Sequence, residues 1–208
     1  MFRKAKILVV LITFSICLSL MSSTYSRYVV DATGNIEALF ARWQILINTI
    51  DITENATSTI TIEPVIEENN YIASNVVAPS SKGYFDIDVD PSNVEVSFKY
   101  TIDLEIENEN IPDLIITKYA FLPDNYVEGD YLDIITLEDG CISDNLLYDK
   151  NNEEFEFKPF TIRVFFEWYE GENEQMNDEQ DTTIGLQAAQ ENTPLKIKAN
   201  IKFEQIFG

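Results

Sequence analysis

The sequence predicts an all-β protein: a two-sheet antiparallel sandwich, jelly-roll-like, with short helical pieces and an N-terminal signal helix in front of it. Apolar and polar residues alternate with a period of two in several long segments, which is typical of strands with one buried and one solvated face. Turn residues separate these segments, and helical periodicity is weak after the first residues. About eight strands at this spacing favour a sandwich.

The chain begins with the pattern of a secretory signal. Basic residues precede an apolar run at Ile7–Met21, and this run is shorter than the roughly twenty apolar residues that a membrane-spanning helix needs. Signal peptidases require small residues at positions −3 and −1 from the cleaved bond. Cleavage after Ser26 satisfies this rule, because Thr24 and Ser26 take those positions and Arg27 becomes the first mature residue. The alternative is an uncleaved membrane anchor.

This cleavage gives a signal peptide at residues 1–26 and a single β-sandwich domain at residues 27–208. Removal of the signal peptide takes away three basic residues and no acidic residue, so the net charge of the chain falls from −22 to −25. Such a chain is repelled by nucleic acid and by anionic lipid, and we expect neither as a partner after cleavage. Only Cys141 remains, so no internal disulfide forms. This favours secretion to the matrix or surface of a Gram-positive-type bacterium, since secreted eukaryotic domains often rely on disulfides.

The predicted strands follow from the alternating segments in chain order. The first, Trp43–Ile47, begins a β-rich run, and the longest, Val94–Glu107, carries seven apolar residues on one face and charged residues on the other. A turn is predicted at Pro91–Asn93. The other predicted strands are 58–63, 84–90, 114–121, 131–137, 161–169 and 195–205; short helices are predicted at 31–42, 144–148 and 183–190, and an acidic loop at 171–182.

The residues on which most enzyme mechanisms depend are missing. The chain contains no histidine, which excludes histidine-based triads and HExxH zinc sites. Paired carboxylates of the glycosidase type carry little information among 36 acidic residues. Cys141 has no histidine to activate it. We therefore predict that the protein is not an enzyme.

No cofactor is predicted, and calcium is the alternative. The segment 170–181 is rich in oxygen ligands, and Asn177, Asp178 and Asp181 are close enough in sequence to share one hard cation. The other interpretation is a solvated acidic loop. The run Asp86–Asp90 matches half of a calcium loop, but its alternation favours the solvated face of a strand.

Four segments together point to a known family. They are the end of the signal at Thr24–Tyr28, the step into the first strand at Phe40–Ile45, the proline-containing step at Val77–Ile87, and the segment from Glu167 to Thr182 before the final strand. In these features the chain resembles the TasA/camelysin family of secreted Gram-positive biofilm-matrix proteins. It departs from the family at Arg42, where the family often has glycine.

The resemblance implies a jelly-roll subunit that a dedicated signal peptidase releases and that then self-associates outside the cell. An N-terminal strand of one subunit completes the sheet of the next, as in other donor-strand complexes. The predicted donor runs from Arg27 to about Ile50, and its anchors are Ile36, Phe40, Trp43, Ile45 and Ile47. The alternative is that this segment is the first strand of its own sheet. The family's peptidase label is not supported, because no histidine is available for a zinc site.

The predicted function is a secreted structural protein that assembles into extracellular matrix or cell-surface fibres. We expect assembly to accelerate near the isoelectric point of about 4.1, or with calcium, because repulsion between subunits then falls. The alternative function is a monomeric cell-surface module that binds glycan, calcium or a partner protein.

Overall fold

A computed structural model describes residues 2–25, 39–53, 62–108, 110–191 and 194–207. The chain divides into two compact units, Met1–Phe40 and Ala41–Gly208. The first contains helix α1, Phe2–Tyr25. Within the described residues, no helix has the length and apolar character needed to cross a membrane.

The second unit consists almost entirely of strands, as the alternation predicts. Its described residues form ten strands and one helix. In chain order these are β1 (Trp43–Ile47), β2 (Ile50–Asp51), β3 (Val65–Ile66), β4 (Lys82–Val94), β5 (Phe98–Ile106), β6 (Leu114–Leu122), β7 (Ile135–Thr136), β8 (Cys141–Leu146), β9 (Phe160–Trp168), α2 (Asp178–Glu191) and β10 (Ile197–Gln205).

The strands build two antiparallel sheets, which confirms the predicted sandwich. Sheet A has the order β2-β1-β4-β9-β6-β7, with β3 also paired to β4, and sheet B has the order β10-β5-β8. Three pairings are nested: β4 with β9, β5 with β8, and β6 with β7. Nested pairing is what a long antiparallel ribbon produces when it is rolled into two layers, so the topology is of jelly-roll type.

The hydrophobic core of the described residues lies between the two sheets of the second unit. Alternate residues of the long strands are buried, including Phe85, Ile87 and Val89 of β4 and Ile162, Val164 and Phe166 of β9. Aromatic rings connect the layers: the ring centroids of Tyr100 in β5 and Phe160 in β9 are 5.5 Å apart. Every buried core residue among the described residues falls between Ile45 and Met176, so residues 41–208 include all of the described core.

The predicted turn at Pro91–Asn93 is wrong, because β4 continues to Val94. Pro91 and Ser92 together lie opposite the single residue Ile45, where the register between β1 and β4 shifts. Such a bulge interrupts the ladder, and a proline without an amide proton is tolerated there.

Other predicted boundaries also need correction. The predicted helix 144–148 is wrong, since Asp144–Leu146 belong to β8 and pair with β5. The strand expected from Val94 begins only at Phe98, and the one expected at 131–137 is limited to Ile135–Thr136. Ile62 and Glu63 lie outside strands, as residues 39–42 lie outside helices; residues 58–61 and 31–38 are outside the described residues. The helix at 183–190 is confirmed but begins earlier, at Asp178.

Candidate assembly site

The predicted donor-strand anchors separate into two groups. Ile45 and Ile47 are fully buried in β1, and Trp43 packs edge-on against Phe98 with ring centroids 6.0 Å apart. In the described unit, β1 is therefore a strand of its own sheet, paired with β2 and β4. Phe40 is 97% exposed, and Ile36 lies outside the described residues.

The predicted cleavage site is only partly described. Thr24 lies at the end of α1, whereas Ser26 and Arg27 fall outside the described residues. The structure therefore places the first of the three residues and leaves the cleavage itself a prediction.

The two sheets end in very different edge strands. Sheet A ends in β2 and β7, which have two residues each. Sheet B ends in β10, with nine residues, and in β8, with six. An unpaired strand edge is a template for pairing with another chain, so the edges of sheet B are the candidate assembly site.

The hydrogen bonds of β5 determine which amides of β10 face outwards. Glu107 N donates to Lys196 O, and Ile206 N donates to Ser97 O, both at 2.9 Å. Because hydrogen-bonded and non-bonded pairs alternate in an antiparallel ladder, the even-numbered residues of β10 bond to β5. The odd-numbered residues direct their amides and carbonyls to the open edge. No described residue accepts from these five outward amides, which belong to Ile197, Ala199, Ile201, Phe203 and Gln205.

The edge of β8 is less available. Leu104 N donates to Gly140 O at 2.9 Å, and the same alternation directs the amides of Cys141, Ser143 and Asn145 outwards. Cys141 N already donates to Glu138 O, and Asn145 N donates to the carboxylate of Asp144. Of these three, only the Ser143 amide lacks an acceptor among the described residues.

A groove borders each open edge, of mixed character beside β10, where Glu107 and Lys196 also line it, and mainly apolar beside β8. Beside β10, a groove of about 330 Å³ opens between the sheets and is lined mainly by Ile62, Pro64, Phe85, Leu195, Ile197 and Ala199. Beside β8, a groove of about 420 Å³ is lined largely by aromatic residues, including Tyr100, Phe121, Phe155, Phe157 and Phe160. A strand that adds at either edge can therefore place its side chains in the adjacent groove, where they contact apolar surface.

The predicted calcium residues lie at the start of α2. Asn177 and Gln180 form a reciprocal capping box: the Asn177 side-chain oxygen accepts from Gln180 N at 3.1 Å, and the Gln180 side-chain oxygen accepts from Asn177 N at 3.0 Å. The oxygen proposed as a ligand therefore already caps the helix. Among the described residues, no three Asp, Glu, Cys or His side chains converge as a metal site. Calcium binding at Asn177, Asp178 and Asp181 stays a prediction.

Carboxylates crowd around this capping box. The buried Asp113 accepts from the amides of Gln175 and Met176 and thereby fixes the turn before α2. Desolvation, followed by the charges of Asp113 and Asp178, raises the pKa of Asp181. One oxygen of Asp181 is buried without a hydrogen-bond partner among the described residues. Desolvation and neighbouring acids also raise the pKa of Glu170.

A charge cluster that the sequence did not predict lies on the outer face of sheet A. The Arg163 guanidinium makes two 2.8 Å hydrogen bonds to the Asp86 carboxylate and one of 3.0 Å to Glu128. It also lies 3.7 Å from the centre of the Tyr84 ring and within hydrogen-bond distance of the Tyr126 hydroxyl. This residue therefore fastens the loop after β6 onto the sheet. The feature of the sequence that could have indicated this cluster is the single arginine among the mainly apolar residues of β9.

The one thiol of the second unit shows no activation. A hydrogen bond with Asp103, reinforced by desolvation, raises the pKa of the Cys141 thiol. A raised pKa keeps the sulfur protonated, and the thiol is a poor nucleophile in that state.

No protein-family model matches the chain, and no curated protein matches it.

Proposed function

We propose that the protein is an extracellular structural subunit that assembles into matrix or cell-surface fibres by strand addition. The observation that carries this proposal is the nine-residue β10, whose outward amides have no acceptor among the described residues. Main-chain hydrogen bonds along such an edge supply affinity for an added strand. The signal-like start and the resemblance to the TasA/camelysin family support release outside the cell.

The proposed donor segment is residues 27–40, shorter than the sequence alone indicates. Removal of β1 from its sheet requires a large free energy, because Ile45 and Ile47 are buried in the core of the same unit. Leu39 and Phe40 precede β1 and are fully exposed. An apolar pair of this kind can enter a groove of a neighbouring subunit without first leaving its own core.

Truncation tests this proposal. We expect residues 27–208 to form filaments visible by negative-stain electron microscopy, and residues 41–208 to remain folded without forming them. Retained β-sheet circular dichroism and cooperative unfolding would verify that the shorter chain is folded, as we expect because it includes all of the described core. Filaments of equal number and length from both chains would disprove the donor role, and their absence from both would disprove the fibre proposal.

A point substitution gives a finer test in the full mature chain. Phe40→Ser should reduce filament formation strongly while leaving the midpoint of unfolding unchanged, since the ring is exposed in the isolated subunit. Tyr71→Ser is the matched control, because Tyr71 is 96% exposed and lies outside the donor. Equal loss of filaments in both variants would mean that general surface hydrophobicity drives the association.

A monomeric binding module is the second candidate function, and the aromatic groove beside β8 favours it. Exposed ring faces and edges contact sugar rings or apolar peptide side chains. If residues 27–208 stay monomeric at neutral and acidic pH, with and without calcium, titration with soluble glycans and peptides becomes the direct test. Phe121→Ala and Phe155→Ala, which alter the more accessible rings of the groove, should then weaken binding.

A further inference from the structure

The edge strand β10 has a sequence that is complementary to itself. We propose that β10 pairs antiparallel with β10 of a second copy, about a two-fold axis through Ile201, so that sheet B continues across a dimer. Every outward amide then finds an acceptor, because odd-numbered residues lie opposite odd-numbered residues. An isologous contact of this kind requires one surface to complement itself.

The charges of β10 select the register. With the axis at Ile201, Lys198 of each copy lies opposite Glu204 of the other, which forms two cross-strand ion pairs on the outer face. Moving the axis to Asn200 places Lys198 opposite Lys202 of the second copy. Moving it to Lys202 places the two copies of Lys202 opposite each other. Like charges directly opposite are destabilising, so the register centred on Ile201 is favoured over these two.

The side chains on the core-facing side fit the same register. The large Phe203 of one copy lies opposite the small Ala199 of the other, and Ala199 lines the groove beside β10. Phe203 is only half-buried within its own subunit, where its ring centroid is 5.9 Å from that of Phe98. Pairing therefore covers apolar surface that a single subunit leaves partly exposed.

The lysines also disfavour other partners for this edge. Edge strands commonly carry lysine, which opposes indiscriminate pairing, and here Lys198 and Lys202 alternate along the solvent face of β10. Lys202 pairs with Glu204 of its own strand at 2.8 Å, but an apolar strand that approaches this edge brings no acidic side chain opposite Lys198. A second copy supplies Glu204 opposite Lys198. The donor segment and a second copy compete for this one edge, so the dimer is expected in residues 41–208, where the donor segment is absent.

Charge reversal with mixing tests the partner and the register together. We expect residues 41–208 to sediment as a dimer, and Lys198→Glu and Glu204→Lys each to shift the population to monomer. Mixing the two variants should restore a dimer, because every reversed side chain then faces its opposite charge. A monomeric parent across the concentration series overturns the proposal. Single variants that stay dimeric, or a mixture that stays monomeric, overturn the register.

A backbone substitution tests the role of the outward amides. Ala199→Pro removes one amide at the open edge and none that bonds to β5, so the subunit should fold and lose the dimer. Ala199→Val is the matched control, since it retains the amide and should remain dimeric. Persistence of the dimer in a folded Ala199→Pro variant would show that sheet extension is not the contact. If that variant does not fold, the charge-reversal mixture decides.

The dimer and the fibre can fail separately. Loss of filaments on removal of residues 27–40, with the dimer retained, supports both proposals. Filaments that form from a chain whose 41–208 unit is monomeric would leave the fibre standing and remove the β10 dimer.

Discussion

The two sheets of the sandwich differ in how completely they are closed. Sheet A ends in two-residue strands, and its outer face is partly covered by a loop that Arg163 holds. Sheet B ends in strands of nine and six residues. Closed edges confine a sheet to its own subunit, whereas open edges permit sheet extension. We therefore propose that association uses the long edges of sheet B and expect the fastened loop to contribute to the stability of sheet A.

Strands β1 and β10 show the same difference in single elements. β1 has five residues, but it pairs on both sides and its isoleucines are fully buried. β10 has nine residues, but it pairs on one side and its core-facing residues are half-exposed. A long regular ladder therefore does not imply deep burial. β10 has the more regular alternation of the two strands, yet it is the less buried one.

Arg163→Ala should be among the most destabilising changes and tests how far the stability of sheet A depends on its fastened loop. Removal of the guanidinium leaves the carboxylate of Asp86 without its partner, and because that carboxylate is one-third exposed, the loss should be about 2 kcal/mol of unfolding free energy, less than for a fully buried ion pair. Arg163→Lys should recover part of this loss, because lysine keeps the charge but not the two-pronged geometry. Urea denaturation measures both.

Lys82→Ala is the control on the same sheet. Its ion pair with Glu167 is exposed and 3.9 Å long, so the loss should stay below about 1 kcal/mol. Equal costs for Arg163→Ala and Lys82→Ala would mean that the cluster does not hold the sheet.

The contrast between β1 and β10 predicts unequal costs for the same truncation. Ile47→Ala removes a fully buried side chain and should cost about 3 kcal/mol. Ile201→Ala removes a half-exposed one and should cost about 1 kcal/mol in the monomer, in proportion to the smaller buried area. Both are measured by urea denaturation of residues 41–208 at a concentration where the subunit is monomeric. Equal costs would refute the distinction between an enclosed and an accessible strand.

Asp181→Asn should have the smallest effect, and its sign depends on pH. A raised folded-state pKa means that the folded chain binds the proton more tightly than the unfolded chain. Stability from this group is therefore present below its ordinary pKa of about 4 and is lost as pH rises through the folded-state pKa. The variant should melt at a higher temperature than the parent at neutral pH, and the difference should vanish in acid.

Glu179→Gln serves as the control for that experiment. It removes one acidic charge from the same helical turn, but Glu179 is exposed and is not among the causes of the raised pKa of Asp181. A gain in melting temperature from Glu179→Gln as large as that from Asp181→Asn would attribute the effect to overall charge.

The regular strands could be predicted from sequence because each depends mainly on its own alternation. Leu195–Gln205 shows this best, since β10 lies within the predicted range. The bulge at Pro91 could not be predicted, because it depends on the register of β1 against β4. The start of α2 was predictable: Asn177-Asp178-Glu179-Gln180 is the sequence of a capping box, and only its interpretation as a cation loop concealed it.

The candidate site was less accessible to sequence reasoning. Burial of Ile45 and Ile47 within their own subunit depends on β4, whose partner residues lie more than forty positions later. The open edge of β10 is a property of topology, since it depends on which strand lies outermost. The alternating lysines can be seen in the sequence, where they indicate a solvated strand face. Their effect on pairing with other chains follows only once β10 is known to be an edge strand.

The nested pairing of the strands also determines the order in which the chain can fold. β9 is the partner of both β4 and β6, so the centre of sheet A cannot form until Trp168 has left the ribosome. Long sequence separation between partners slows folding. Pairs such as β1 with β4 and β5 with β8 can form earlier, but the edges of β4 and β6 that pair with β9 remain open to chaperones until β9 completes the central ladder of sheet A in one late step.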